Sequence, residues 1–302
     1  MSSFRDLRIV DNFYQTSAFF PMPTVLVGTL DENGQTNLGS YSLCFPYYIA
    51  GKDRYAMLLE CRNSSNTAQH ILAGSRVSLN FIPDDRKYFR EAVRLGFPGD
   101  TTAQKMKDCL FTLEKGQAEG ERPLVVKEAF QVFECTWASK LEDAYLDKPG
   151  QLEGYEPPYR NFNGITSKFG AHFILTIDKI LMKEEYWNAI VNGVKAGAFP
   201  SVPVDYGYRD NTNFWYTRFR RPIPEKIQAK EGDVQSVIYA AERIDPDVKF
   251  TKEACAKLTK IPRVFLKAAL TQMVKIAKEE GISVIDEAAL TVINDKRRKE
   301  KK

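Results

Sequence analysis

The sequence predicts an α+β fold, mainly β-strands with helices, followed by a small three-helix module at the C-terminus. Short β-branched and apolar segments separated by turn residues dominate most of the chain, and helical periodicity replaces them from about residue 248. A chain of 302 residues is long enough for one large domain with an appendage. We therefore expect a domain over residues 1–245 and a helical module over residues 246–302.

The first strands form a predicted hairpin. The segment TVLVGTL (24–30) has the β-branched and apolar residues of a half-buried strand. The turn DENG (31–34) follows directly, and Asn-Gly supplies the positive-φ positions that a tight reversal needs. A second strand is therefore expected to run back from about residue 35 to residue 45.

A strand–helix–strand unit and two long strands are predicted next. Strands are expected at YAMLLEC (55–61) and RVSLNFI (76–82), with a short helix SNTAQHILAG (65–74) between them. Residues 84–113 show helical spacing in two pieces and form a predicted helical insert. Further strands are expected at 129–142 and 170–182. The Pro- and Gly-rich segment 143–169 between them predicts a long loop that folds over a site or a neighbouring subunit.

Three helices are predicted in the C-terminal module from their end residues. Thr251 and Asp286 can cap the first and the third helix, and Pro262 suits the first turn of the second helix, which is expected to end at Gly281. The second helix has one apolar stripe, which predicts a packing face: Leu266, Ala269, Leu270, Met273 and Ala277.

Composition and charge exclude several classes of function. The net charge of +4 is concentrated in residues 296–302, which contain six basic residues and one acidic residue, so the folded part has no basic field for nucleic acid. Five cysteines without a C-x-x-C pair and only two histidines argue against a disulfide framework or a metal site. No apolar run is long enough to span a membrane, and the first residues lack the apolar core of a signal peptide. We expect a cytoplasmic protein that binds neither nucleic acid nor membranes.

The segment CRNSSNTAQHI (61–71) is the main candidate for a binding site. Backbone amides at a helix N-terminus bind phosphate together with a favourable helix dipole, and hydroxyl groups and a guanidinium add donors. The residues that offer these groups are Arg62, Ser64, Ser65, Asn66 and Thr67. The spacing leaves a second interpretation open, in which Ser64 or Asn66 caps the helix and Arg62 faces water.

The second strand of the hairpin is unusually rich in small and polar residues. Asn37, Gly39, Ser40 and Ser42 crowd the first half of the segment GQTNLGSYSLCFPYY (34–48). Such a strand exposes backbone for the close approach of a flat ligand.

The ordered combination of these segments resembles the flavin reductase-like FMN-binding split-barrel family, which includes flavoredoxins and related flavoprotein oxygenases. The segments PMPTVLVGTLDENGQTNLGSYSLCFP (21–46) and SSNTAQHILAGSRVSLNF (64–81) follow the family pattern in order and spacing, and GAHFILTIDKIL (170–181) is similar to its later strand. The resemblance covers roughly residues 20–220. The insert at 84–113 and the loop at 143–169 exceed the family pattern and put substrate access in question.

The resemblance implies a split β-barrel that binds FMN as its cofactor. It assigns the FMN phosphate to Arg62, Ser64, Ser65, Asn66 and Thr67. It assigns the isoalloxazine to the strand that contains Asn37, Gly39, Ser40, Tyr41 and Ser42, with Asn80 as a supporting polar group. It also implies a homodimer with FMN at the interface, NAD(P)H as electron donor and a flavin or protein as electron acceptor.

The implied activity is that of a flavin reductase-like oxidoreductase, with no catalytic residue assigned. His172 is the histidine of most interest, although an ordinary hydrogen-bonded strand histidine is the simpler interpretation, and His70 is expected at the surface. One alternative is a non-catalytic module that binds FMN or another ligand and docks a partner through its helical C-terminus. Another is a barrel that holds a different phosphate or a tetrapyrrole.

The C-terminal stretch KEACAKLTKIPRVFLKAALTQMVKIAKEEGISVIDEAAL (252–290) separately resembles the small helical domain that ends one subunit of light-independent protochlorophyllide reductase. Nothing in the rest of the chain supplies the cluster ligands of that enzyme. The resemblance therefore concerns the module alone and carries no activity over.

Overall fold

The computed structural model describes residues 22–48, 55–97, 100–139, 163–192, 198, 202–209, 214–217 and 234–299. The chain divides into two compact units, Met1–Pro222 and Ile223–Lys302. The boundary differs from the expected one at 245/246 because a helix at Val234–Glu242 packs into the core of the second unit.

Strands dominate the first unit, and short strands also occur in the second. The strands are β1 (Met22–Pro23), β2 (Val25–Leu30), β3 (Thr36–Tyr41), β4 (Cys44–Tyr48), β5 (Tyr55–Arg62), β6 (Arg76–Phe81), β7 (Leu113–Glu114), β8 (Val125–Val126), β9 (Gln131–Trp137), β10 (Gly164–Ile165), β11 (Gly170–Met182), β12 (Val204–Arg209), β13 (Phe214–Thr217), β14 (Lys249–Phe250) and β15 (Val284–Ile285).

The helices confirm the predicted α+β class. They are α1 (Asn66–Gly74), α2 (Arg86–Leu95), α3 (Thr102–Met106), α4 (Glu184–Asn192), α5 (Val234–Glu242), α6 (Lys252–Leu258), α7 (Arg263–Glu279) and α8 (Glu287–Lys299). Among the residues that the structure describes, no helix is long and apolar enough to cross a membrane.

The main sheet of the first unit is antiparallel and curls into a barrel. Its strand order is β3-β2-β6-β9-β11-β5-β4, with β10 paired to β11. In a flat sheet β3 and β4 would lie roughly 29 Å apart, given a strand spacing of about 4.8 Å. Only Ser42 and Leu43 connect these two strands, and such a connection reaches at most about 11 Å. The sheet therefore has to curl until its two edges meet, as a split barrel does.

The predicted hairpin is confirmed, but its second strand ends earlier than expected. The turn places Gly34 at a φ of 73°, and the Asp31 side chain accepts hydrogen bonds from the amides of Asn33 (2.9 Å) and Gln35 (2.8 Å). The segment expected as one strand to residue 45 divides at Ser42 and Leu43. β3 pairs with β2, whereas β4 pairs with β5 across the barrel.

Two apolar clusters cover the two faces of the sheet around β2 and β6. One contains Val27, Leu59 and Phe173 together with Ala68 and Ile71 of α1, so it fixes α1 against the barrel. The other contains Leu26 and Leu38 of the sheet with Ala92 and Leu95 of α2. The predicted helical insert is confirmed as α2 and α3, and it covers the second face.

Only part of the predicted 143–169 loop lies in the described chain. Residues 140–162 lie outside it, together with the end of the strand expected at 129–142. Residues 163–169 contain β10 and a turn that leads into β11.

The second unit contains α5 to α8 and the parallel pair β14–β15 around its own apolar core. The predicted caps are confirmed: Thr251 accepts from the Ala254 amide (3.2 Å) and Asp286 from the Ala289 amide (2.8 Å). Leu266, Leu270, Met273 and Ala277 of the predicted stripe are buried in this core, and Ala269 is half-buried. One helix more than predicted is present because α5 belongs to this unit.

Candidate functional site

The end of β3 and the beginning of α1 lie against each other. The Tyr41 hydroxyl hydrogen-bonds the side chains of Ser65 and Thr67. A Cβ atom added at Gly39 would lie 2.8 Å from Oγ1 of Thr67, so the missing side chain lets the helix approach the strand. The structure thus brings together the two segments that the sequence singled out separately.

The N-terminus of α1 provides hydrogen-bond donors. Ser65 is the N-cap, and its Oγ accepts from the Ala68 amide at 3.1 Å. The amides of Asn66 and Thr67 have no acceptor within the helix, because the first turn of a helix always leaves such groups. The first turn carries no acidic residue that would neutralise the helix dipole. This helix end therefore has the polarity and the donors that an anion requires.

The N-cap of α1 is Ser65. The interpretation without a phosphate site expected Ser64 or Asn66 in this position. Ser65 is positioned by its own amide, which donates to the Arg62 carbonyl at 3.0 Å. Asn66 is used differently, since its Nδ2 donates to the Asp100 carbonyl at 2.9 Å. Asn66 therefore joins α1 to the residues that precede α3.

Burial divides the proposed phosphate ligands into two groups. Arg62 and Ser64 are exposed, whereas Ser65 and Asn66 are half-buried and Thr67 is buried. Strand alternation places Arg62 on the face of β5 that also carries Glu60. A ligand from solvent therefore meets the side chains of Arg62 and Ser64 first, while Thr67 supports the site from beneath.

The face of β3 expected to be open is covered by protein. Asn37, Gly39 and Tyr41 share that face, and Asn37 is 0% exposed. In the described structure neither Oδ1 nor Nδ2 of Asn37 has a hydrogen-bond partner. Ser40, Tyr41 and Ser42 are half-buried. A flat ligand can therefore reach only the last part of the predicted strand, because α1 occupies the rest.

Asn80 is a structural residue of the sheet. It is 0% exposed, its Nδ2 donates to the Leu26 carbonyl at 3.0 Å, and its Oδ1 accepts from the Val126 amide at 2.8 Å. Its amide holds β2 and β8 to β6 and supports the site only through the sheet.

The groups beneath the site stay protonated at neutral pH. Burial, followed by the nearby Cys61, raises the pKa of Tyr41 to about 12. Burial likewise raises the pKa of the Cys61 thiol to about 12. Neither group therefore places a negative charge beneath the site, and Cys61 is not a nucleophile.

The two histidines are both engaged by neighbouring side chains. Nδ1 of His172 lies 2.6 Å from Oγ1 of Thr166, and its Nε2 lies 3.8 Å from a carboxylate oxygen of Glu60. His70 is half-buried rather than at the surface, because Nδ1 lies 3.1 Å from Oγ1 of Thr29, and burial lowers its pKa. Within the described residues no group of three or more His, Cys, Asp or Glu side chains could hold a metal ion.

A turn that the sequence did not predict lies beside Arg62. The Asn63 amide donates to the Phe169 carbonyl at 3.0 Å, and Nδ2 of Asn63 donates to the Lys168 carbonyl at 2.8 Å. Phe169 and Lys168 are exposed next to the N-terminus of α1. The contact joins residues 105 positions apart, and no local pattern in the sequence signals it.

Comparison with known proteins gave matches among solved structures. No protein-family model and no curated protein matches the chain. An FMN-binding protein from Thermus thermophilus with bound 1-cyclohex-2-enone is 13% identical, covers 75% of this chain and 100% of its own, and has a TM-score of 0.48. The 2-nitrobenzoate 2-nitroreductase NbaA of Pseudomonas fluorescens is 16% identical, with coverages of 69% and 86% and a TM-score of 0.46.

A flavoredoxin from Methanosarcina acetivorans is 15% identical, with coverages of 78% and 100% and a TM-score of 0.45. The structure neighbours are thus flavin reductases and FMN-binding proteins of the split-barrel type, the family that the sequence resembles.

Proposed function

We propose that the protein is an FMN-binding oxidoreductase that takes electrons from a reduced nicotinamide and passes them to a flavin or protein acceptor. The observation that carries the proposal is the contact between β3 and α1, made by Tyr41 with Ser65 and Thr67 and by Gly39 with Thr67. This contact puts the N-terminus of α1, with its unpaired amides, next to the half-buried end of β3. A phosphate and a flat ring of one ligand can therefore be bound side by side.

The residues present fit the phosphate of FMN. The amides of Asn66 and Thr67, the exposed Ser64 hydroxyl and the exposed Arg62 guanidinium are all donors, and no acid lies in the first turn of α1. Ser65 and Thr67 would act indirectly, because their hydroxyls bond Tyr41 and fix the helix end.

The isoalloxazine would lie along Ser40, Tyr41 and Ser42, the half-buried part of the strand that the sequence predicted. Asn37 lies earlier on the same strand, and its side-chain amide has no hydrogen-bond partner in the described structure. When bound, FMN accepts a hydride at its N5 and releases electrons singly or in pairs. The chain itself would bind FMN, orient it and shield it from water. This chemistry requires no acid–base pair from the protein.

The proposal includes a homodimer with FMN at the interface. Large apolar side chains are exposed in the first unit, among them Tyr55 (58%), Phe97 (58%) and Ile165 (59%). A second subunit would bury part of this surface.

The second candidate function is a non-catalytic FMN-binding module that docks a partner through its C-terminus. The compact second unit with its own core and an exposed Phe265 (64%) favours it. Steady-state oxidation of NADH and NADPH separates the two candidates, because a binding module gives no turnover above that of free FMN.

The visible spectrum of the purified protein, followed by acid release of the chromophore, tests the cofactor. About one FMN per chain is expected, because the proposed site uses the single N-terminus of α1. A colourless protein that does not bind added FMN would contradict the proposal.

Mutation of the two exposed donors tests the phosphate site. Arg62→Ala combined with Ser64→Ala should weaken FMN binding by about 10- to 100-fold, because one charged and one neutral hydrogen-bond donor are lost. Both side chains are exposed, so the melting temperature should change little. Lys179→Ala is the control, since it removes an exposed cation near the other end of β11. Equal FMN affinity in the double variant and the control would remove the assignment.

A further inference from the structure

Hydrogen bonds hold the backbone of the turn between β10 and β11 beside the candidate site. The amides of Thr166 and Ser167 donate to the Gly170 carbonyl at 3.1 and 3.2 Å. Oγ of Ser167 accepts from the amides of Phe169 (3.2 Å) and Gly170 (2.8 Å). These bonds fix the backbone of the turn.

Asn63 attaches this turn to the strand that leads into α1. Its amide and its side chain hold the carbonyls of Phe169 and Lys168, and Gly170 lies opposite Arg62 in the ladder between β5 and β11. The tip of the turn is thereby placed next to Arg62, which lies shortly before the N-cap of α1.

The turn presents an aromatic ring and a cation to solvent. Phe169 is 73% exposed, the largest value among the exposed large apolar residues of the described chain. Nζ of Lys168 lies 5.5 Å from the centre of the Phe169 ring, and Lys168 and Arg62 are both exposed. A phenylalanine ring that is exposed on a turn with a hydrogen-bonded backbone offers a face on which a second ring can stack.

An acidic side chain is also present on the strand beside this turn. Glu60 lies on the same strand face as Arg62, with His172 at 3.8 Å. Lys168 projects from the turn itself, so an anionic group on a ring stacked over Phe169 would meet this cation first.

We infer that Phe169 and Lys168 form a subsite for a planar aromatic ring that carries an anionic group. The ring stacks on Phe169, and Lys168 binds the anion, while Arg62 stays with the phosphate of the proposed FMN site. This chemistry is shared by the base and phosphate of a nucleotide and by an aromatic carboxylate. The inference extends the site of the proposed function to a second ligand, and its test does not depend on FMN.

The test measures how tightly the full-length protein binds small anions that contain an aromatic ring and matched anions that lack one. Calorimetric titrations would use adenosine 5′-monophosphate against ribose 5-phosphate, and benzoate against acetate. Because the two members of each pair share their anionic group, the ratio of their affinities isolates the ring. Stacking on one aromatic side chain is expected to make the ring-bearing probe of at least one pair bind about tenfold more tightly.

Three variants test whether Phe169 and Lys168 cause the preference for the ring-bearing probe. Phe169→Ala should abolish the ring preference, and Phe169→Trp should retain it. Lys168→Ala should weaken the ring-bearing probe and reduce its salt dependence. The control variant Lys179→Ala/Ile180→Ala removes an exposed cation and an exposed apolar residue from the other end of β11 and should behave as the wild type.

The outcomes distinguish a nucleotide ligand from an aromatic carboxylate, and they include results that would disprove the subsite. A preference for the nucleotide alone identifies a nucleotide ligand, and a preference for benzoate alone identifies an aromatic carboxylate. The subsite is disproved if no ring-bearing probe is preferred, or if the preference survives in Phe169→Ala. It is also disproved if Phe169→Ala changes only the oligomeric state measured by sedimentation, because Phe169 would then be a subunit contact. Failure of the wild-type protein to bind FMN would contradict the proposed function and leave these ratios interpretable.

Discussion

Asn37 is the residue whose chemistry is least accounted for by the fold. Its side chain is completely buried, and in the described structure neither of its amide atoms has a hydrogen-bond partner. Replacing Asn37 with Val should raise the free energy of unfolding by about 1–3 kcal/mol, the cost of an unsatisfied buried polar group. Valine also suits a strand. Chemical denaturation of the ligand-free protein measures the change.

The matched control is Thr29→Val, because Thr29 lies opposite Asn37 in the ladder between β2 and β3. Oγ1 of Thr29 contacts His70 at 3.1 Å, so this substitution should lower the free energy of unfolding by about 0.5–1.5 kcal/mol. If Asn37→Val were destabilising like Thr29→Val, the Asn37 amide would have to be hydrogen-bonded in the folded protein, and its assignment as an unsatisfied polar group would be wrong.

The contact between β3 and α1 is the element-level feature on which the candidate site depends. A Cβ at Gly39 would lie 2.8 Å from Oγ1 of Thr67 and 2.9 Å from Cε2 of Tyr41. Gly39→Ala should therefore lower the free energy of unfolding by about 1–3 kcal/mol through overpacking, and it should weaken FMN binding by displacing the helix end. Thermal unfolding and FMN titration measure the two effects. Gly74→Ala is the control, since no atom lies within 4 Å of the added Cβ. Equal stability of the two variants would contradict the close contact.

Local pattern predicted the elements around this contact well. The first strand of the hairpin, the strand from 170 to 182 and the α1 segment depend on residues that are neighbours in sequence, and each was predicted close to its observed bounds. The break at Ser42 and Leu43 was missed because it depends on closure of the barrel, in which β4 joins β5. The turn at Phe169 was missed because Asn63 fixes it from a distant part of the chain. The sequence also indicated small residues in β3 but not that α1 would occupy the space they leave.

The two compact units each have a separate apolar core, and we expect them to unfold separately. Leu270 is completely buried in the core of the second unit, and Leu59 is completely buried in the barrel. Removing either side chain to Ala should destabilise its own unit by about 2–5 kcal/mol, because a cavity replaces packed atoms. In calorimetry of the full-length protein, Leu270→Ala should move one transition and Leu59→Ala the other. FMN content should fall only in Leu59→Ala, since the candidate site lies in the first unit. A single transition that shifts in both variants would show that the two units fold cooperatively. The C-terminal unit would then stabilise the barrel and would not be an independent docking module.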